Sequence, residues 1–67
     1  MRELDLHGIR TNDVEIMVDQ FLYKNRDNLP VKIITGNSYS MRKIVKDYAL
    51  LMGYTIHEPR YSELIVY

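Results

Sequence analysis

The stretch LDLHG at residues 4–8 places an aspartate and a histidine two positions apart. Side chains two apart on a β-strand project to the same face, so Asp5 and His7 form a candidate catalytic pair. An imidazole exchanges protons near neutral pH and can take one from water or from a ribose 2′-hydroxyl. Asp5 can orient that imidazole through a water or hold a metal with it. The alternative is an ordinary solvated strand face, because short patterns of this kind often match by chance.

The stretch TGNSYSMRK at residues 35–43 is a candidate phosphate-binding loop. Gly36 permits a sharp turn or a close approach of the backbone to a ligand. Ser38 or Ser40 is expected to cap the helix that follows, whose free N-terminal amides favour an anion such as phosphate. The alternative is a loop that only caps the helix, although such a cap can also accept a ligand phosphate.

Four short segments have the patterns of β-strands. Residues 3–7 and 54–58 alternate between apolar and polar side chains, as half-buried strands do. VKIITG at 31–36 is a β-branched run, which predicts a strand buried on both faces. ELIVY at 63–67 predicts the last strand, and PRY at 59–61 is expected to form the turn before it.

Two other segments have apolar residues at helical spacing. The first predicts a helix from about Asp13 to Arg26, which Asn12 and Glu15 would cap and which cannot continue through Pro30. The second predicts a helix that Gly53 closes. The apolar positions are Val14, Met17, Val18, Phe21 and Leu22 in the first helix and Met41, Ile44, Val45, Tyr48 and Met52 in the second.

The element order βαβαββ predicts one α/β domain over residues 1–67, a two-layer sandwich of a four-stranded mixed sheet with both helices on one face. Strands separated by a helix are expected to be parallel, with right-handed crossovers, and the last two strands antiparallel. Ligands of such sheets bind beyond the carboxyl ends of the parallel strands. The residues expected along that edge are His7, Arg10, Thr35, Asn37, Ser38, Ser40, His57 and Arg60, with Arg42, Lys43 and Lys46 close by on the second helix.

Composition limits the classes of function. The chain is 46% hydrophobic and 27% charged, as globular proteins are, and it has no cysteine for disulfides or thiolate metal sites. Nine basic and nine acidic residues balance, so any contact with nucleic acid must come from a local cluster. We expect a soluble cytoplasmic protein without membrane contact, because no segment is typical of a signal peptide or a transmembrane span.

With LDLHG, with IITG at 33–36 and with the order βαβαββ, nearly the whole chain resembles the Smr domain, the small MutS-related module. The resemblance implies nucleic-acid binding and, as in several members, endonuclease activity that nicks DNA or cleaves RNA. It also implies the strand order 1-2-4-3, with the last strand antiparallel to the others. It places Asp5 and His7 at positions implicated in cleavage and Gly8, Thr35 and Gly36 at positions that shape the backbone. The second loop glycine of the family falls at Ser38, and its histidine-serine pair falls at Ser40 and Met41.

Three functions remain open from the sequence. One is an endonuclease with His7 as general base, Asp5 supporting it, and cations gripping the nucleic-acid backbone. The second is a module that binds DNA or RNA without chemistry, in which Tyr39 or Tyr61 can stack on unpaired bases. The third is a protein-interaction module, such as a homodimer formed through the open sheet face. One carboxylate is too few for a two-metal site, so no protein metal site is assigned. A requirement for magnesium stays open. The cations proposed to grip the backbone are Arg10, Arg42, Lys43 and Arg60.

Overall fold

Helices alternate with the first three strands, in the predicted order βαβαββ. The computed structural model describes residues 1–67. Neither helix is long and apolar enough to span a lipid bilayer. Numbered in chain order, the elements are β1 (Glu3–Asp5), α1 (Thr11–Lys24), β2 (Val31–Ile34), α2 (Tyr39–Leu51), β3 (Ile56–Arg60) and β4 (Glu63–Val66).

The four strands form one mixed sheet in the order β1-β2-β4-β3. β1 and β2 are parallel, and β4 lies antiparallel between β2 and β3. The mixed sheet, its order and the antiparallel last strand are confirmed. Because β4 is antiparallel to both of its neighbours, β1, β2 and β3 all run in the same direction. Their carboxyl ends therefore meet at one edge of the sheet.

One hydrophobic cluster joins the sheet to both helices, because alternate strand residues and one stripe of each helix are fully buried. The helices therefore cover the same face of the sheet, as predicted. The sheet contributes Val31, Ile33, Leu64 and Val66, Leu6 follows β1 directly, and the helices contribute Val14, Val18, Leu22, Met41, Val45 and Ala49. Burial of these eleven side chains is the main source of stability in a chain with neither disulfide nor metal.

The first helix begins earlier than predicted. α1 starts at Thr11, and Arg10 takes the N-cap position without a side-chain hydrogen bond, so the predicted cap by Asn12 and Glu15 is wrong. The helix also ends earlier, at Lys24. Asn25 is buried there, and its side-chain amide donates to the Phe21 carbonyl at 2.9 Å. The same carbonyl also accepts the backbone N–H of Asn25 at 3.0 Å, so Asn25 closes the helix with two bonds to one acceptor.

Two strand predictions also need correction. In β2, Val31 and Ile33 are buried but Lys32 and Ile34 only partly, so the strand is not buried on both faces. β3 does not end at residue 58 but continues to Arg60, and the turn falls at residues 61–62. A register shift between His57 and Arg60 takes up an extra residue, as a β-bulge does. Pro59 is tolerated here because β3 is an edge strand, where a missing N–H breaks no ladder bond.

Candidate nucleic-acid interface

Three turns lie side by side at the carboxyl ends of the parallel strands, and we call this edge the rim (residues 7–10, 35–40 and 60–62). A Cβ placed on Gly36 would lie 3.7 Å from Cδ2 of His7, so the imidazole packs beside the second turn. The backbone N–H of Thr35 donates to the carbonyl of Ser62 at 2.9 Å, which joins the second turn to the third. The convergence expected from the topology is therefore present.

β1 ends at Asp5, so His7 lies in the turn that follows and not, as predicted, on the strand beside Asp5. The two residues interact through the main chain. Oδ1 of Asp5 accepts a hydrogen bond from the backbone N–H of His7 at 2.9 Å. The chain then turns at Gly8, whose φ of +81° favours glycine, and the N–H of Ile9 donates to the Leu6 carbonyl at 3.0 Å. The His7 side chain remains exposed. Asp5 thus fixes the backbone that carries the imidazole and is not bonded to the ring itself.

The second turn is built by Thr35, Gly36 and Ser38. Thr35 is 2% exposed, and its hydroxyl lies 3.1 Å from the Gly36 carbonyl and 3.3 Å from that of Ser62. Gly36 turns the chain with a φ of +66°. Oγ of Ser38 accepts from the N–H of Met41 at 3.2 Å, so Ser38 is the helix cap. The hydroxyls of Thr35 and Ser38 therefore form hydrogen bonds within the fold.

The start of α2 leaves groups available to a phosphate at the rim. A helix supplies no acceptor to its first amides, and here Ser38 satisfies only that of Met41. The backbone N–H groups of Tyr39 and Ser40, in the second turn of the rim, therefore have no helical partner. Asn37 and Ser40 are exposed beside them. Amides and polar side chains of this kind bind phosphate oxygens.

The cations of α2 already have acidic partners. The Arg42 guanidinium is bonded to Glu58, and the other carboxylate oxygen of Glu58 accepts from Nζ of Lys46 at 3.0 Å. Nζ of Lys43 lies 2.9 Å from Oδ2 of Asp47 and is exposed. By contrast, Arg10 and Arg60 are exposed at the rim and form no salt bridge. The positive charge that remains free at the rim comes from these two arginines.

The ion pairs shift two pKa values. The hydrogen bond from Lys46, together with the charges of Lys46 and Arg42, lowers the pKa of the Glu58 carboxyl. The hydrogen bond to Asp47, with the charge of that carboxylate, raises the pKa of the Lys43 ammonium. Both shifts favour the charged forms of Glu58 and Lys43.

Replacing Glu58 with glutamine is expected to lower the urea midpoint of unfolding at pH 7. A carboxyl whose pKa is lowered in the folded state stabilises that state above its unfolded pKa, and this contribution disappears as the pH falls through the folded value. Unfolding measured at pH 7 and at pH 3 tests this, because the difference between wild type and variant should shrink at the lower pH. A difference that stays constant would mean that the ion pairs with Lys46 and Arg42 do not stabilise the fold.

No three or more histidine, aspartate or glutamate side chains gather to hold a metal ion. A magnesium ion at the rim would therefore take most of its ligands from water and from substrate phosphate. The residues present do not form a metal site of their own.

The second histidine, which we expected at the same edge, lies away from it. His57 is paired with Ile65, which is in turn opposite Lys32 in the middle of the sheet. His57 and His7 are separated by three strand spacings and about four residues along the strands, or roughly 20 Å. His57 therefore cannot assist His7.

The open sheet face is mostly polar. Two half-buried isoleucines, Ile34 and Ile65, lie in its middle. Nζ of Lys32 lies 3.9 Å from Oε2 of Glu63 on the same face. The face that the sequence offered for a homodimer thus has a small apolar centre between charged groups, and the dimer stays a prediction.

Sequence reasoning missed two contacts. The guanidinium carbon of Arg42 lies 4.2 Å from the centroid of the Tyr61 ring, so α2 is tied to the third turn. The hydroxyl of Tyr48 donates to Asp19, which links the two helices, and this bond raises the pKa of Tyr48 to about 12. Helical spacing marks Tyr48 as facing α1, but no local pattern identifies the partner of either residue.

A scan against protein-family models and searches of curated proteins and solved structures found no match to this chain.

Proposed function

We propose that this protein is a Smr-like nucleic-acid-binding domain that cleaves a phosphodiester bond at the rim, with His7 as the proton acceptor. One observation carries this proposal: the exposed imidazole of His7 packs beside Gly36, in the loop that begins α2. A proton-accepting side chain and a set of free backbone amides thus lie on neighbouring turns. This is the combination that attack on a phosphate requires.

The reaction follows from these two groups. With RNA, His7 accepts the proton of a ribose 2′-hydroxyl, and the 2′-oxygen forms a bond to phosphorus. The bond from phosphorus to the 5′-oxygen breaks, and that oxygen takes a proton from the imidazolium or from water. The products are a 2′,3′-cyclic phosphate and a 5′-hydroxyl. With DNA, the same imidazole accepts a proton from an attacking water, whose oxygen forms a bond to phosphorus. One ester bond from phosphorus to a sugar oxygen breaks, and that oxygen takes a proton from the imidazolium or from water. The amides of Tyr39 and Ser40 stabilise the negative charge on the phosphate oxygens.

The free cations fit the same substrate. Arg10 follows the first turn and Arg60 ends β3, so they flank the second turn from opposite sides. A sugar-phosphate chain that crosses the rim can contact both of them. Arg42 holds Glu58 and Tyr61, so we assign it to positioning, and Lys43, exposed beside Asp47, is an auxiliary contact.

A second candidate is binding without cleavage. One specific observation favours it: Asp5 is bonded to the main chain of His7 and not to its imidazole, so no carboxylate orients the ring. In this case nucleic acid would bind at the rim and no product would form. Product analysis separates the two candidates.

The test uses labelled single-stranded RNA and DNA oligonucleotides, with binding and products measured at several salt concentrations. We expect binding that weakens with salt, together with a cleavage product. The double variant Arg10→Ala/Arg60→Ala should bind more weakly, with a salt slope lower by about two. Arg2→Ala/Lys24→Ala removes the same charge at the other end of the strands and is the control.

If the wild type binds but forms no product, the second candidate is correct. If neither RNA nor DNA binds at low salt, both candidates are wrong. Equal weakening by the two double variants would contradict binding at the rim.

A further inference from the structure

Tyr61 is an exposed aromatic residue of the rim, and one face of its ring packs against a cation. Its ring is stacked on the Arg42 guanidinium, with the carbon Cζ 4.2 Å from the ring centroid. The tyrosine is nevertheless 53% exposed. A ring with one face covered by a cation and much of its surface in water can accept a second planar group on its free face.

The cation beneath the ring is itself held in place. The Arg42 side chain is only 12% exposed and is bonded to Glu58, which Lys46 holds from its other oxygen. Nε of Arg42 is buried without a hydrogen-bond partner. The bond to Glu58 and the low exposure of the side chain hold Arg42 against Tyr61, so the cation supports one face of the ring. Tyr39, which is 71% exposed, has no such support.

The position of Tyr61 relates it to the proposed cleavage site. It precedes Ser62, whose carbonyl accepts from the N–H of Thr35, so it lies next to the second turn. Tyr61 lies two to three strand spacings from the end of β1, or roughly 10–14 Å. That distance corresponds to about three or four stacked nucleotides at ~3.4 Å each.

We propose that Tyr61 stacks on an unpaired base of the nucleic acid whose phosphate lies at His7, and that this contact selects single strands over duplex. The inference rests on the proposed function and specifies its substrate class. Bases inside a duplex have both faces covered by neighbouring base pairs, whereas an unpaired base offers a free face to an aromatic side chain. Arg42 acts as the positioning residue that holds the ring.

Fluorescence anisotropy with a labelled single-stranded RNA and a hairpin duplex of equal length tests this selection. Tyr61→Ala should weaken single-strand binding roughly five- to 150-fold, the range that corresponds to the loss of one stacked base, and leave duplex binding unchanged. Tyr61→Phe, which keeps the ring, should bind as the wild type does. Tyr67→Ala is the matched control, because Tyr67 is 52% exposed and follows β4 at the opposite end of the sheet.

The possible failures are distinguishable. If the wild type binds no nucleic acid, the proposed function is wrong and this inference falls with it. If it binds single strands and Tyr61→Ala binds equally well, only the stacking contact is wrong. Tighter binding of duplex than of single strands by the wild type would also overturn the selection. A Tyr61→Phe variant as weak as Tyr61→Ala would assign the loss to the hydroxyl, which contradicts stacking.

Discussion

Replacing His7 with alanine is expected to lower the rate of phosphodiester cleavage by roughly 10²–10⁴-fold, the usual contribution of one general base. Affinity for the oligonucleotide should change little, because the amides and arginines that hold the phosphates remain. Initial rates on a labelled single-stranded RNA, measured with saturating protein, test this. Single turnover with saturating protein separates the chemical step from binding.

The chain provides its own control for that experiment. His57 is exposed like His7, but it lies on the open sheet face away from the rim. His57→Ala should therefore cleave at the wild-type rate. Cleavage by His7→Ala at the wild-type rate would rule out the imidazole as the base. An equal loss in both variants would indicate damage to the fold and not loss of a general base.

The role of Asp5 can be separated from that of His7 in the same assay. Its carboxylate accepts from the backbone N–H of His7, and an asparagine side-chain oxygen can accept the same bond. Asp5→Asn should therefore retain most of the activity, whereas Asp5→Ala should lose more. A loss as large for Asp5→Asn as for His7→Ala would show that the negative charge acts in the reaction.

Replacing Leu64 with alanine is expected to destabilise the fold by about 2–5 kcal/mol, the cost of removing a buried leucine side chain from a packed core. Leu64 is 0% exposed and lies in β4, the strand between β2 and β3. It belongs to the hydrophobic cluster that joins the sheet to both helices. A domain of 67 residues buries a small core, so this loss is a large fraction of its stability. Urea unfolding followed by circular dichroism measures it.

Leu51→Ala is the matched control for that variant. The same atoms are removed, but Leu51 is 81% exposed at the end of α2, so the urea midpoint should shift little. Similar shifts in the two variants would contradict the assignment of the core to the face between the sheet and the helices.

The fold could be predicted because each element carries its own periodicity. Alternation in the strands and the three- and four-residue spacing in the helices depend on which residues face the core. The structure buries or partly buries those residues, except Met52, which follows α2 and is 55% exposed. Boundaries were less predictable because they depend on neighbours. Arg10 takes the N-cap position of α1 although Asn12 is the better cap by residue type, and Pro59 stays within β3 because that strand is an edge with a bulge.

The location of the site followed from topology, but its internal pairing did not. Parallel strands bring their carboxyl ends to one edge, so the proximity of His7 and Gly36 could be predicted from element order alone. The partner of Arg42 could not, because Glu58 lies 16 residues away and belongs to a strand with a register shift. Such contacts are set by side-chain packing across elements, which local patterns do not encode.

The most direct measurement is an NMR titration of the ¹⁵N-labelled protein with a short single-stranded RNA and its DNA equivalent. If the three turns together hold a sugar-phosphate chain, amide shifts should concentrate at residues 7–10, 35–43 and 60–62 and move with a common affinity. Residues 50–54, at the far end of α2, provide the internal reference and should not shift. Shifts confined to that far end, or to a single turn, would contradict a shared binding rim.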